Sequence, residues 1–176
     1  MRESEVNHLK KKMLALLLAA SDMDHAEAAA RALEKEAYDV SLMRALETAI
    51  AVSYIRAFTK SSLMTLPDDY VPTTSPDAEL HEWFRDRRDQ AYAHTDKPSV
   101  SGRDASVTIG VEEGGIVAVE FRDEWLPFPR KWIGPAMSLF ERQRECFRAE
   151  AVSIQAKLEK RQSSAAEHGP GGEPNA

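Results

Sequence analysis

The chain has 176 residues, enough for one domain with a sizeable core and no more. Hydrophobic residues make up 43% and charged residues 30%, and the formal net charge is −6. Broad electrostatic attraction to nucleic acid or an anionic membrane is therefore not expected, and phosphate binding would need a local basic patch. One cysteine, Cys146, excludes an intramolecular disulfide framework and a cysteine-rich zinc site, and fits a reducing compartment.

The N-terminal LKKKMLALLLAAS has the outline of a signal peptide, with a basic cluster followed by eight apolar residues from Met13 to Ala20. Glu3 and Glu5 acidify the would-be basic region. Val6, Leu9, Met13, Leu16 and Ala20 also keep helical spacing across the lysines. The apolar run is far below the roughly 20 residues that span a bilayer. An amphipathic first helix over about 4–20 and a cytoplasmic protein are expected. Ser21, with Asp24 three residues on, has the form of a helix N-cap. It would open a second, alanine-rich helix running to about Ala37, with Ala26, Ala29, Ala30, Leu33 and Ala37 on its apolar side.

Met43, Leu46, Ile50, Tyr54 and Ala57 or Phe58 form one stripe of a third helix over about 40–60. Pro67, Pro72 and Pro76, with the pair Asp68-Asp69, mark a loop over 61–76. A fourth helix starts at about Pro76 or Asp77 and ends near Thr95, ahead of Pro98. Residues 106–121 then switch to period two. A three-residue Glu113-Gly114-Gly115 loop would pair Val111 with Val117, Ile109 with Val119 and Val107 with Phe121, all on one face. Trp125, Phe128 and Trp132 in a proline-containing connector are expected to cap the core. A long last helix over about 134–161 carries Met137, Phe140, Phe147, Ala151, Ile154 and Leu158 on its apolar side, with Cys146 read as a core residue. The composition of 163–176 cannot bury anything and reads as a disordered tail. The expected fold is mainly α: one helical domain over 1–162 with a β-hairpin inserted before the last long helix.

One stretch is unlike the rest: RRDQAYAHTDKP, Arg87 to Pro98. Leu80, Phe84, Arg87, Ala91 and His94 follow one another at steps of four, three, four and three, so His94 continues an apolar face near a helix C-terminus. The helix dipole there favours its protonated form and burial opposes it, so the imidazole can titrate near neutral pH as an acid or base. Arg88 lies six residues earlier, about 9 Å along the axis and about 120° around it. One helix cannot close both groups on a single phosphate, whereas two copies related by a two-fold axis can. Spacing alone leaves open an ordinary surface ion network among Asp86, Arg87, Arg88 and Asp89. A metal site from His81, Asp86, His94 and Asp96 is not expected, because His81 and His94 are about 20 Å apart along one helix.

The phrase RDQAYAHTD resembles the LRDKxxAHTD signature of bacterial HEPN-like proteins, some related to abortive-infection systems. The order and spacing of YIRAFTKS, LPDDYVP and LHEWFRDRRD are similar to that subgroup too, so the resemblance covers about 49–96. It implies an HEPN-like helical bundle that forms a homodimer, with the Arg and His motifs of both protomers meeting in a cleft. Many members are metal-independent ribonucleases that need no cofactor, and toxin–antitoxin or phage-defence roles go with the subgroup. On this resemblance Arg88, Asp89 and His94 are the catalytic candidates, and an antitoxin is a possible partner. His94 is the acid or base, Arg88 the phosphate clamp, and Asp89 orients one of them. Tyr92 and Arg85 are candidates for substrate binding. Arg87 stands where the resembling proteins carry an apolar residue, and is a second candidate to hold phosphate. Arg85, Arg87, Arg88, Lys97 and Arg103 supply the local positive charge that the acidic chain otherwise lacks. The alternative is a non-catalytic nucleotide- or RNA-binding module, or a protein-interaction module.

Overall fold

The computed structural model of the chain describes residues 3–60, 64–92, 106–112, 115–122 and 127–167. It is mainly helical. In order come α1 (Glu3–Lys35), α2 (Val40–Arg56), α3 (Asp77–Tyr92), strands β1 (Ser106–Glu112) and β2 (Gly115–Arg122), and α4 (Ile133–Glu167). Short 3₁₀ turns, Asp68–Tyr70 and Arg130–Trp132, precede α3 and α4. Among the described residues no helix is long and apolar enough to cross a membrane.

The helices expected over 4–20 and 21–37 are one continuous helix. Leu16, Ala19, Ala20, Met23, Ala26, Ala30 and Leu33 are all buried on a single stripe that runs straight through Ser21. Asp24, the acid of the expected capping signal, and its neighbour Asp22 are taken by partners from other helices. Arg56 of α2 donates through Nε to Asp22 at 2.9 Å, and Arg144 and Arg148 of α4 bond to Asp24 at 2.9 and 2.8 Å. The small side chains on this stripe let α1 approach α4 and α2 closely. Where α1 ends, Glu36 accepts the backbone N–H groups of Ala37, Tyr38 and Asp39, and those bonds hold its exposed carboxyl below the usual range. Arg130 crosses from the start of the α4 segment to bond the carbonyls of Glu34 and Glu36. Asp39 then caps α2 by accepting from the Leu42 N–H at 3.0 Å.

Helix α2 stops at Arg56 rather than near Lys60, and its chain continues as a turn through Phe58 and Thr59. The core is sealed by a shell of rings. Tyr54 lies 5.1 Å from Phe84 and 5.3 Å from Phe140, and Phe128 of the connector lies 4.7 Å from Trp83. This cluster joins α2, α3, α4 and the connector. Glu47, buried in α2, accepts the Phe128 N–H at 2.7 Å and fixes where the connector enters. At its other end α3 is tied to α4 by Arg142, which bonds both carboxylate oxygens of Asp77 at 2.7 Å.

The strands pair antiparallel, with Val107 opposite Phe121, Ile109 opposite Val119 and Val111 opposite Ile116. The last pair differs from the expected Val111–Val117. A register shift between Gly110 and Val111 absorbs one residue, so Glu112 meets Gly115 and the connection is two residues long. On α4, Phe140, Phe147, Ala151 and Ile154 are buried, and Cys146 is exposed rather than in the core. It stands one residue before Phe147 and so falls off the buried stripe. The same helix continues to Glu167, past the point where the tail was expected to begin. The rest of that tail, 168–176, lies outside the described residues, as does Trp125.

Candidate functional site

Helix α3 has two faces with different contents. Leu80 and Phe84 are buried against the ring cluster. One residue further round, His81, Arg85 and Arg88 share a stripe at steps of four and three. That stripe borders a cleft of about 520 Å³ whose other walls are the end of α2 (Ile55, Phe58, Thr59) and the loop residues Asp68, Val71 and Thr73. A second depression of about 340 Å³, lined by Val52, Arg56, Thr59, Arg88 and Asp89, adjoins it. Arg88 and Thr59 belong to both, so Arg88 stands on the ridge between them.

Arg88 is held firmly there. Its Nε and one terminal nitrogen donate to a single oxygen of Asp89 at 2.8 and 2.6 Å, and its other terminal nitrogen donates to Thr59 Oγ1 at 2.8 Å. Thr59 spends its own proton on the Ile55 carbonyl at 2.9 Å, so its oxygen is oriented to accept from Arg88. Both terminal nitrogens of the guanidinium keep an N–H without a partner among the described residues, which is the edge that a phosphate takes. Asp89 thus orients the arginine. The side chain of Arg88 is 23% exposed against 59% for Asp89, so the pair is anchored rather than a loose surface contact.

The neighbouring candidates separate. Arg87 stacks on the ring of Trp83, 4.7 Å from its centroid. Arg85 is paired with Glu82 one turn back and still borders the cleft. Tyr92 is the last residue of α3, with its side chain outside the described residues. His94 also lies outside them, as do Lys97 and Arg103.

The sequence marks His81 only as part of a metal group that its spacing makes unexpected. It is instead a buried cleft residue, 5% exposed, with Nδ1 3.2 Å from the Tyr54 hydroxyl and its ring edge-on to Phe58. Burial pushes its pKa below the usual value, with the Arg85 charge acting in the same direction against Glu82. Burial pushes the Tyr54 hydroxyl well above its usual value. Burial favours the neutral phenol, and His81 Nδ1 is the hydrogen-bond partner shown for its hydroxyl; donation to Nδ1 would place the imidazole proton on Nε2. The signal available in the sequence was the step from His81 to Arg85 to Arg88. Among the described residues no three His, Cys, Asp or Glu side chains come together in a metal-binding group.

No family model matches this chain, and no characterised protein or solved structure matches it.

Proposed function

We propose that the chain is an HEPN-like homodimer that cleaves RNA without a metal ion, using Arg88, Asp89 and His94. One observation carries this reading. The three sequence blocks behind the resemblance, distant along the chain, supply the residues around Arg88: Thr59 and Arg56 from YIRAFTKS, Asp68 and Val71 from LPDDYVP, and Arg85, Arg88 and Asp89 from LHEWFRDRRD. A packed helix needs no such convergence of polar groups from three segments.

In the proposed reaction His94 takes the proton of an RNA 2′-hydroxyl, and the 2′-oxygen attacks the adjacent phosphorus. The bond to the 5′-oxygen breaks, and that oxygen leaves with a proton from the protonated His94 of the second protomer. The products are a 2′,3′-cyclic phosphate and a 5′-hydroxyl. Arg88, oriented by Asp89, neutralises the charge that builds on the phosphorane oxygens. A cytoplasmic toxin restrained by an antitoxin, or a phage-defence nuclease, is the biological setting that goes with this reading.

The test is cleavage of a mixed-sequence RNA by the purified chain in EDTA. Wild type and Arg87→Ala yield cyclic phosphate ends, whereas Arg88→Ala and His94→Ala yield none. Loss of cleavage in EDTA, or full activity in Arg88→Ala, overturns the proposal. RNA binding with no cyclic phosphate product selects a non-catalytic binding module instead.

A further inference from the structure

The turn that ends α2 delivers one hydroxyl to the ridge beside Arg88. Helix α2 stops at Arg56, and the next backbone bonds run from the Phe58 N–H to the Ile55 carbonyl at 3.0 Å and from the Thr59 N–H to the Arg56 carbonyl at 3.2 Å. The Thr59 hydroxyl donates to the same Ile55 carbonyl at 2.9 Å, four residues back, a bond that threonine forms readily on a helical turn. With its proton committed there, the oxygen is left to accept a terminal N–H of Arg88 at 2.8 Å. Arg56 anchors the turn from the other side, because its guanidinium is held by the buried Asp22 of α1.

The two bonds from Arg88 to a carboxylate both go to Asp89, its neighbour on the same helix, whose side chain is 59% exposed. Two long side chains paired on one exposed helix surface swing together unless another element holds them. Among the described residues, the hydrogen bond that ties this pair to another element is the one to Thr59. We propose that Thr59 is a positioning residue for Arg88: its hydroxyl, aimed by the Ile55 carbonyl, fixes the guanidinium across the gap between α2 and α3. The catalytic consequence rests on the ribonuclease reading, in which Arg88 meets the charge that builds on the phosphorane, and a guanidinium displaced by about an ångström forfeits much of that effect. The tie itself is a property of the fold and is measured separately. Serine keeps the hydroxyl that the tie needs, whereas valine has the shape of threonine and lacks it.

Two measurements on the full chain test this. The first needs no substrate: NMR relaxation of the Arg88 Nε–H, with the signal assigned by its absence in Arg88→Lys. The Nε order parameter falls in Thr59→Val and stays at the wild-type value in Thr59→Ser, while the backbone order parameters along α3 do not change. The second is cleavage of the mixed-sequence RNA in EDTA. Thr59→Val lowers kcat by about tenfold or more with KM within about twofold of wild type, and Thr59→Ser keeps the wild-type kcat. Thr59 is exposed, so both variants are expected to fold, and circular dichroism matching wild type verifies it. An Nε order parameter unchanged in Thr59→Val overturns the proposal. So does a Thr59→Ser variant as mobile as Thr59→Val, since the hydroxyl would then not be the cause. Wild-type kcat in Thr59→Val overturns the role in catalysis. If the wild type cleaves nothing while the order parameters change as expected, the tie stands and the ribonuclease reading is what fails.

Discussion

The Tyr54 hydroxyl lies 3.2 Å from His81 Nδ1, in a shell formed by Phe58, Phe84 and Phe140. This polar contact links α2 to α3 at the place where the cleft meets the core. Removing the hydroxyl in Tyr54→Phe keeps the ring packing but leaves a buried imidazole nitrogen without its donor. The expected cost is about 1–3 kcal/mol, read as a lower urea midpoint with an unchanged slope. A loss much below this would mean that the two groups do not bond in solution.

His81 also sets a pH dependence. Its folded pKa is lowered from the ordinary 6.5, first by burial, while Tyr54 on α2, Asp68 on the loop, and Glu82, Arg85 and Arg88 on α3 surround it. Below the ordinary value the unfolded chain takes up a proton that the folded chain resists. The stability tied to His81 is therefore complete above about pH 6.5 and falls as the pH drops from there toward the lowered folded value. Urea titrations of wild type and His81→Gln between pH 7.5 and about 5 check this. The wild-type curve declines more steeply, and parallel curves would refute the assignment.

Glu47 is the third buried group with a defined task, accepting the Phe128 N–H at 2.7 Å from within α2. Glu47→Ala leaves that N–H unpaired beside the ring cluster and costs about 1–3 kcal/mol, whereas Glu47→Gln keeps an acceptor and recovers most of it. Thermal unfolding of the pair gives the difference directly. Equal losses in both variants would show that charge rather than the hydrogen bond is what matters.

Much of the helical framework was legible because periodicity survives packing. The stripes through Ile50 and Tyr54, Leu80 and Phe84, and Phe140, Phe147 and Ile154 are all core stripes in the structure. The contact of Arg88 with Asp89 was implied only by the resemblance, which left Asp89 to orient either Arg88 or His94; helix spacing does not predict it, since adjacent residues point about 100° apart. What could not be read locally was decided by distant partners. Ser21 and Asp24 have the chemistry of a helix start, but Arg144 and Arg148, over a hundred residues away, claim Asp24 and leave the helix unbroken. Arg87 reads as a competitor of Arg88 until Trp83 is seen beneath it. His81 reads only as part of an unexpected metal group until α2 supplies Tyr54. In each case a residue's role followed from a contact that no window of adjacent sequence contains.

The bonds from Arg130 to the carbonyls at the end of α1 span 94 and 96 residues of chain. The main partner of α1 is therefore made last, and the order of synthesis matters to how the molecule folds. At roughly 5–20 residues per second, α1 waits on the order of 10 s before α4 leaves the ribosome. Through that interval α2 packs against α1, but the side of α1 that meets α4 has no cover, and Leu14, Leu17 and Leu18 are half exposed even in the finished fold. Closing so long a loop is entropically slow, so folding is held back until the far helix arrives. During translation the α4-facing side of this helix is therefore an apolar surface that waits on a partner far along the chain.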